Sequence, residues 1–148
     1  MPTTEDRRTP RGCTSFKLRQ LTRRVSQHYD RVVAGCGLKT TQYSLLSHIE
    51  RLGPVRPSDL AAAMAMDAST LTRNLRPLLE HGWAAVGPGA DGRSRLVTLT
   101  AKGRAKRVEA QRAWKRAQLG SDRVAELHAL IDDCMAALAA APEETTDA

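Results

Sequence analysis

From Thr14 to about Ala34, apolar residues recur at Leu18, Leu21, Val25 and Val32, interrupted by His28, at the three-four spacing that lays one stripe along a helix. The run from Gly35 to Lys39 breaks this pattern. Thr40 or Thr41 is placed to cap a second helix carrying Tyr43, Leu45, Leu46 and Ile49 to about Leu52, where Gly53 and Pro54 stop it. Ser58 precedes a short helix from Asp59 to Met64, whose small residues let a neighbouring helix approach. After the turn Met66-Asp67-Ala68, a fourth helix runs from Thr70 to about His81. Leu71, Leu75, Leu78 and Leu79 face inward, and Ser69, Thr70, Arg73, Asn74 and Arg76 face outward. Pro77 removes the amide bond to the Arg73 carbonyl and is expected to bend or loosen the second half.

After Gly82 the pattern shortens to two extended runs, Trp83 to Val86 and Leu96 to Leu99, around the loop Gly87-Pro88-Gly89-Ala90-Asp91-Gly92, which reads as a hairpin. Thr100 caps a fifth helix running towards Gln118. Gly120, Ser121 and Asp122 form a break and a cap, and Val124, Leu127, Ile131, Cys134 and Leu138 give a final helix an apolar seam. The fold class expected is mainly α with a small β-hairpin. A winged helix-turn-helix head spans about 40–100, a connecting helix 101–118, and the first and last helices (about 14–34 and 121–140) form a helical dimerisation region. Together these make a single domain over 13–140, flanked by a flexible arm over 1–12 and a flexible acidic tail over 141–148. In so short a chain the first and last seams have no other large surface to cover, which points to a homodimer; the alternative is that both belong to an intrachain core.

The charge sharpens this picture. The chain carries a formal +7, and the acids Glu143, Glu144 and Asp147 near its end leave the remainder more basic still. Such an excess suits a polyanionic partner, either nucleic acid or an acidic surface. Arg7, Arg8 and Arg11 are followed by an amphipathic stretch and not by the apolar run of a signal peptide, and no segment has the roughly 18 apolar residues of a membrane span, so a cytoplasmic location without membrane partners is expected. Cys13, Cys36 and Cys134 are odd in number and widely spaced, neither a disulfide framework nor a metal knuckle, and read as reduced thiols.

Two short helices joined by a tight turn and followed by a hairpin can place one helix in the major groove of DNA, about 12 Å wide. The reading face would be Ser69, Thr70, Thr72, Arg73, Asn74 and Arg76. Their hydroxyls suit bases or phosphates, Arg73 and Arg76 suit guanine or phosphate, and Asn74 suits adenine. The competing reading is an ordinary solvated face. The hairpin tip adds Arg93 as the candidate for the minor groove and Arg95 beside it as a further DNA-binding residue, with Asp91 placed to hold either guanidinium. The basic run Lys102, Arg104, Lys106, Arg107, Arg112, Lys115 and Arg116 is expected to lie partly over the DNA and partly in solvent.

The stretch Asp91-Gly92-Arg93-Ser94-Arg95-Leu96-Val97-Thr98-Leu99-Thr100-Ala101-Lys102-Gly103, with its D-x-R and L-T-x-x-G pattern, resembles the wing of the multiple-antibiotic-resistance regulator (MarR) family. Ser58-Asp59-Leu60-Ala61 and Ser69-Thr70-Leu71-Thr72-Arg73 are similar to that family's helix-turn-helix, and the likeness spans about Phe16 to Leu138. It implies a dimer with interlocked first and last helices, two heads on a pseudopalindromic operator, and a repressor released by a ligand or redox signal sensed between dimer helices and heads.

Two switches stay open. Arg19, Arg23, His28, Tyr43 and His48 can supply a cationic and aromatic lining for a small aromatic or phenolic carboxylate, the family's habitual effector. Alternatively Cys13, near Arg11 and Arg19, can serve as a thiol sensor, a position similar to that in the family's peroxide-sensing branch. From other classes, an enzyme lacks any visible motif, a zinc sensor finds no ligand spacing among His28, His48, His81 and His128, and a helical interaction module without DNA leaves the arginine hairpin without a purpose. No cofactor is called for.

Overall fold

The computed structural model describes residues 11–118 and 122–141. The expected arm and tail lie, apart from residues 11, 12 and 141, outside the described residues. The chain divides into two units, one up to Ala117 and one from Gln118.

In the first unit, helix α1 (Thr14–Val33) runs into a single 3-10 turn, Ala34–Cys36, and the chain reverses at Gly37, whose φ of 71° is one that glycine adopts without strain. Helix α2 (Thr40–Leu52) follows. Neither Thr40 nor Thr41 caps it, contrary to the sequence expectation. The Thr40 amide donates to Asp30 Oδ1 at 2.7 Å and the Lys39 amide to Gln42 Oε1 at 2.8 Å, so a carboxylate from α1 and an amide one turn on fill the role given to a hydroxyl. The lysine itself, having no acceptor, adds nothing to the cap.

Helix α3 (Pro57–Ala63) starts before Ser58, because Pro57 occupies its first position, where a missing N–H costs nothing. Helix α4 (Ala68–Glu80) continues through Pro77, and the His81 amide and ring Nδ1 both close on the Pro77 carbonyl, at 3.0 and 2.7 Å. Leu71, Leu75 and Leu78 are buried as expected, but Leu79 lies over the edge of the stripe and is exposed.

Strands β1 (Ala84–Pro88) and β2 (Arg95–Leu99) pair antiparallel with Ala84 opposite Leu99 and Pro88 opposite Arg95. The hairpin is thus shifted towards its tip relative to the runs read from the sequence, since Trp83 is buried and its amide closes on Leu78 O. Val55 adds an isolated antiparallel bridge to Val97, with both backbone bonds made. Thr100 caps α5 (Ala101–Ala117) as expected, its hydroxyl accepting from the Gly103 amide at 3.0 Å.

Helix α2 is the centre of this unit. Leu45, Leu46 and Ile49 are wholly enclosed by α1, α3, α4, α5 and β2, alongside Leu60, Leu71, Leu78 and Val97. Truncating any one of these leucines to alanine is expected to cost about 2–5 kcal/mol. By contrast, Phe16, Leu18 and Leu21 at the start of α1 are exposed.

The second unit is helix α6 (Asp122–Ala140), whose Leu130, Ile131, Met135 and Leu138 stand in the open. Cys134, expected on the same apolar seam, is exposed with them. Among the described residues no helix is long and apolar enough to cross a membrane.

Candidate nucleic-acid interface

The turn between α3 and α4 is tight. Met66 N closes on Ala61 O at 2.9 Å, and Ala65 takes a φ of 51°, rare for a residue with a side chain. Asp67 then caps α4. Its Oδ1 accepts from the Thr70 amide (2.7 Å) and the Ser69 hydroxyl (2.7 Å), and its Oδ2 from the Thr70 hydroxyl (2.9 Å). These bonds, the two side-chain ones and the Thr70 amide foremost, hold the carboxyl down at about 2 against an ordinary 3.8. From the sequence Asp67 reads only as part of the turn before α4 and its grip on two hydroxyls goes unforeseen, although its two- and three-residue spacing to them is the signal of such a cap.

Five of the six expected reading residues, Ser69, Thr72, Arg73, Arg76 and the less open Thr70, present an accessible face of α4. The Thr72 hydroxyl donates back to Ala68 O (2.9 Å). Arg73 has no ion pair among the described residues, whereas Arg76 bonds Glu80 one turn on at 2.8 Å, a pair exposed enough to be exchanged for a phosphate. Asn74 is half-buried, with its amide against Met66 Sδ at 3.7 Å, a weak bond.

At the wing, Gly89 N donates to Ser94 O and Gly92 N to Gly89 O, closing the tip. Contrary to the sequence expectation, Asp91 does not hold a guanidinium. Its Oδ1 accepts from the Arg93 and Ser94 amides (3.0 and 2.8 Å) and its Oδ2 from the Ser94 hydroxyl (2.6 Å). Backbone N–H groups two and three residues on lie closer than the end of a long side chain, so the local turn wins. The Ser94 bonds are the main reason the Asp91 carboxyl is lowered to about 2. Consequently the Arg93 and Arg95 side chains are exposed and without an acidic partner among the described residues.

Part of the basic run on α5 turns inward. Arg104 Nη1 donates to Leu99 O (3.0 Å), and Lys106 Nζ bonds Cys36 O (2.9 Å) and Glu109 (2.9 Å) while lying 5.7 Å from the centre of the Trp83 ring. These two cations fasten the protein to itself.

The residues suggested for sensing do not form one lining. Cys13 is the exposed N-cap of α1, and Arg19 and Arg23 are exposed along it. His28 and Tyr43 meet the two ends of an aromatic cluster. His28 Nε2 bonds Ala117 O (3.0 Å) and its ring abuts Tyr29; Tyr29 stacks on Trp114 (5.9 Å), and Tyr43 lies 6.2 Å from Trp114. His48 instead bonds Ser44 O on its own helix (2.8 Å). Tyr29 and Trp114 were missed, although with Tyr43 they are three of the chain's five Phe, Trp and Tyr residues. A separate groove of about 710 Å³ is lined by Val32, Cys36, Val108, Arg104, Arg112 and Arg116, among others, and by none of the six sensing candidates. There burial, then the neighbouring Glu109, raises the Cys36 thiol above its ordinary range.

A model of the MarR family matches residues 37–94. The transcriptional regulator MosR of M. tuberculosis, solved in complex with DNA, is 34% identical, with a TM-score of 0.69 over 86% of this chain and 98% of that one. A mutant MarR of E. coli solved with operator DNA, 22% identical, shares the fold at a TM-score of 0.71 over 81% and 91% of the two chains. YwoH of Bacillus subtilis, an uncharacterized HTH-type transcriptional regulator, is 29% identical over 84 residues, which span 57% of this chain and 61% of YwoH, under two thirds of its length.

Proposed function

Because the chain belongs to the MarR family of transcriptional regulators, we propose that it binds a pseudopalindromic operator as a cytoplasmic homodimer and represses transcription until an effector releases it. The observation that carries this reading is the pairing of an open α4 face, with Arg73 unpaired among the described residues, and a wing whose clasp by Asp91 engages only backbone and Ser94, leaving the Arg93 guanidinium uncommitted. A helix of that shape suits the major groove and an arginine at a narrow tip suits the minor groove. The exposed apolar residues at the start of α1 and along α6 support two copies joining through these helices. For the effector, a small aromatic acid fits the apolar walls and arginines of the 710 Å³ groove, and MosR and MarR being regulators gives such a switch a purpose. A second reading, oxidation of Cys13, is favoured by its exposure beside the basic start of α1.

The test is fluorescence anisotropy with the duplex upstream of the protein's own gene, at several salt concentrations. Wild type is expected to bind tightly with a steep salt dependence. Arg93→Ala is expected to bind about tenfold more weakly with a salt slope shallower by about 1. Release by peroxide in wild type but not in Cys13→Ser selects the thiol switch; release by salicylate-like acids alone selects the ligand. Failure of wild type to prefer any sequence in a randomised pool refutes the reading.

A further inference from the structure

We infer that Asp67 decides which bases helix α4 can read, by fixing the Ser69 and Thr70 hydroxyls as hydrogen-bond acceptors towards DNA; this rests on the DNA-binding reading above. A hydroxyl has one proton and two lone pairs. Ser69 Oγ and Thr70 Oγ1 lie 2.7 and 2.9 Å from the two oxygens of Asp67, and an ionised carboxylate only accepts, so both protons point at it. The Thr72 proton is likewise committed to the Ala68 carbonyl. Charge-assisted bonds of this kind are about twice as strong as neutral ones, so the orientation survives the approach of a weaker partner.

What these two hydroxyls turn outward is lone pairs. Phosphate oxygens, guanine N7 and O6, thymine O4 and adenine N7 are themselves acceptors and cannot satisfy them. In the major groove only adenine N6 and cytosine N4 donate. The first turn therefore selects adenine or cytosine on the strand it meets, while Arg73, three and four residues on and on the same face, supplies the donor that takes guanine or phosphate. Asp67 touches no base in this scheme. It is a positioning residue acting through two others.

Asp67→Asn separates this role from mere capping. Asparagine caps a helix about as well as aspartate, and its Oδ1 can still accept from the Thr70 amide and the Ser69 hydroxyl. Its Nδ2, however, donates where Oδ2 accepted, so the Thr70 hydroxyl must turn its proton outward and become a donor. The lost charge acts alike on every sequence; the reversed hydroxyl acts at one base pair.

The experiment selects sites from randomised duplexes with the full-length wild type, then measures all four base pairs at each enriched position by competition anisotropy at fixed salt, for wild type, Asp67→Asn and Thr70→Val. Thermal melts check that each variant is folded. The expected result is that Asp67→Asn shifts one position from cytosine towards guanine or thymine by about fivefold or more, the low end of what one mismatched pair costs, while adenine, which offers both the N6 donor and the N7 acceptor, changes less. Thr70→Val, which has no hydroxyl, should flatten the preference there. If Asp67→Asn changes affinity by the same factor for every base pair, or Thr70→Val leaves the wild-type preference intact, the inference is overturned. If wild type selects no sequence at all, the DNA-binding reading fails instead.

Discussion

Gly103 stands where α5 crosses the root of the wing, and replacing it with alanine tests that junction. A methyl group built there overlaps the Trp83 carbonyl oxygen, comes within 2.8 Å of its carbon and touches Leu99 Cδ1 at 3.0 Å. Two of those three atoms are backbone, and the Trp83 carbonyl also accepts from the Thr100 amide and hydroxyl at 3.0 and 3.1 Å, so it cannot swing away without breaking the cap of α5. Overpacking of this kind costs about 1–3 kcal/mol. Alanine returns about 0.5–1 kcal/mol of helix propensity; with this backbone clash at the upper end of the overpacking cost, about 2–3 kcal/mol, a net loss of about 1–2.5 kcal/mol remains. At about 2–4 °C for each kcal/mol in a chain of this size, the melting temperature should fall by about 2–10 °C. The assay is thermal unfolding followed by circular dichroism. Gly35→Ala is the control, since nothing lies within 4 Å of a methyl there and its backbone is unstrained; it should stay within about 0.5 kcal/mol of wild type. A Gly103→Ala protein that melts at or above wild type would refute the described contact between α5 and the wing.

Two further outcomes follow from the titrating groups. Carboxyl-carbon NMR should find Asp67 and Asp91 titrating at about 2; because these folded values lie below the ordinary 3.8, the clasps' contribution to stability is whole above that value and fades as pH falls through about 2. A midpoint at or above 3.8 for either would mean its clasp is not formed. Glu109→Gln should speed alkylation of Cys36 at pH 8, because it removes the negative charge that adds to burial in raising the thiol, and peptide mapping by mass spectrometry reads the rate; an unchanged or slower rate counts against the described surroundings of Cys36.

The elements themselves were legible because each is announced by spacing close along the chain. Leu71, Leu75 and Leu78 mark the inner side of α4, Gly53 ends α2, and Thr100 opens α5. What spacing leaves open is the choice among competing partners. Thr40 and Thr41 looked like caps, but Asp30, on another helix, takes the amide that a cap would. Asp91 had arginines within reach and bonded nearer N–H groups instead. The side chains proposed to face DNA can be picked out from periodicity, yet the direction of the Ser69 and Thr70 hydroxyl protons cannot, since that depends on which oxygen of Asp67 each one meets. The aromatic cluster was hidden for a different reason: Tyr29, Tyr43 and Trp114 belong to three helices, and only packing brings them together.

The bridge between Val55 and Val97 has a consequence for how such a protein can change its target. Both backbone bonds of the pair are made, at 3.0 and 2.8 Å, so the chain enters and leaves the stretch 55–97 at one hydrogen-bonded point. Everything between, from α3 through α4 to the wing tip, is a closed ring that begins where it ends. A ring of this kind can be exchanged between relatives as one cassette, since its ends already meet at the geometry the recipient supplies, provided the apolar side it turns to Leu45, Leu46 and Ile49 is kept. On the proposed DNA-binding reading, a graft of this ring is expected to carry its operator preference with it and to leave the flanking helices unchanged.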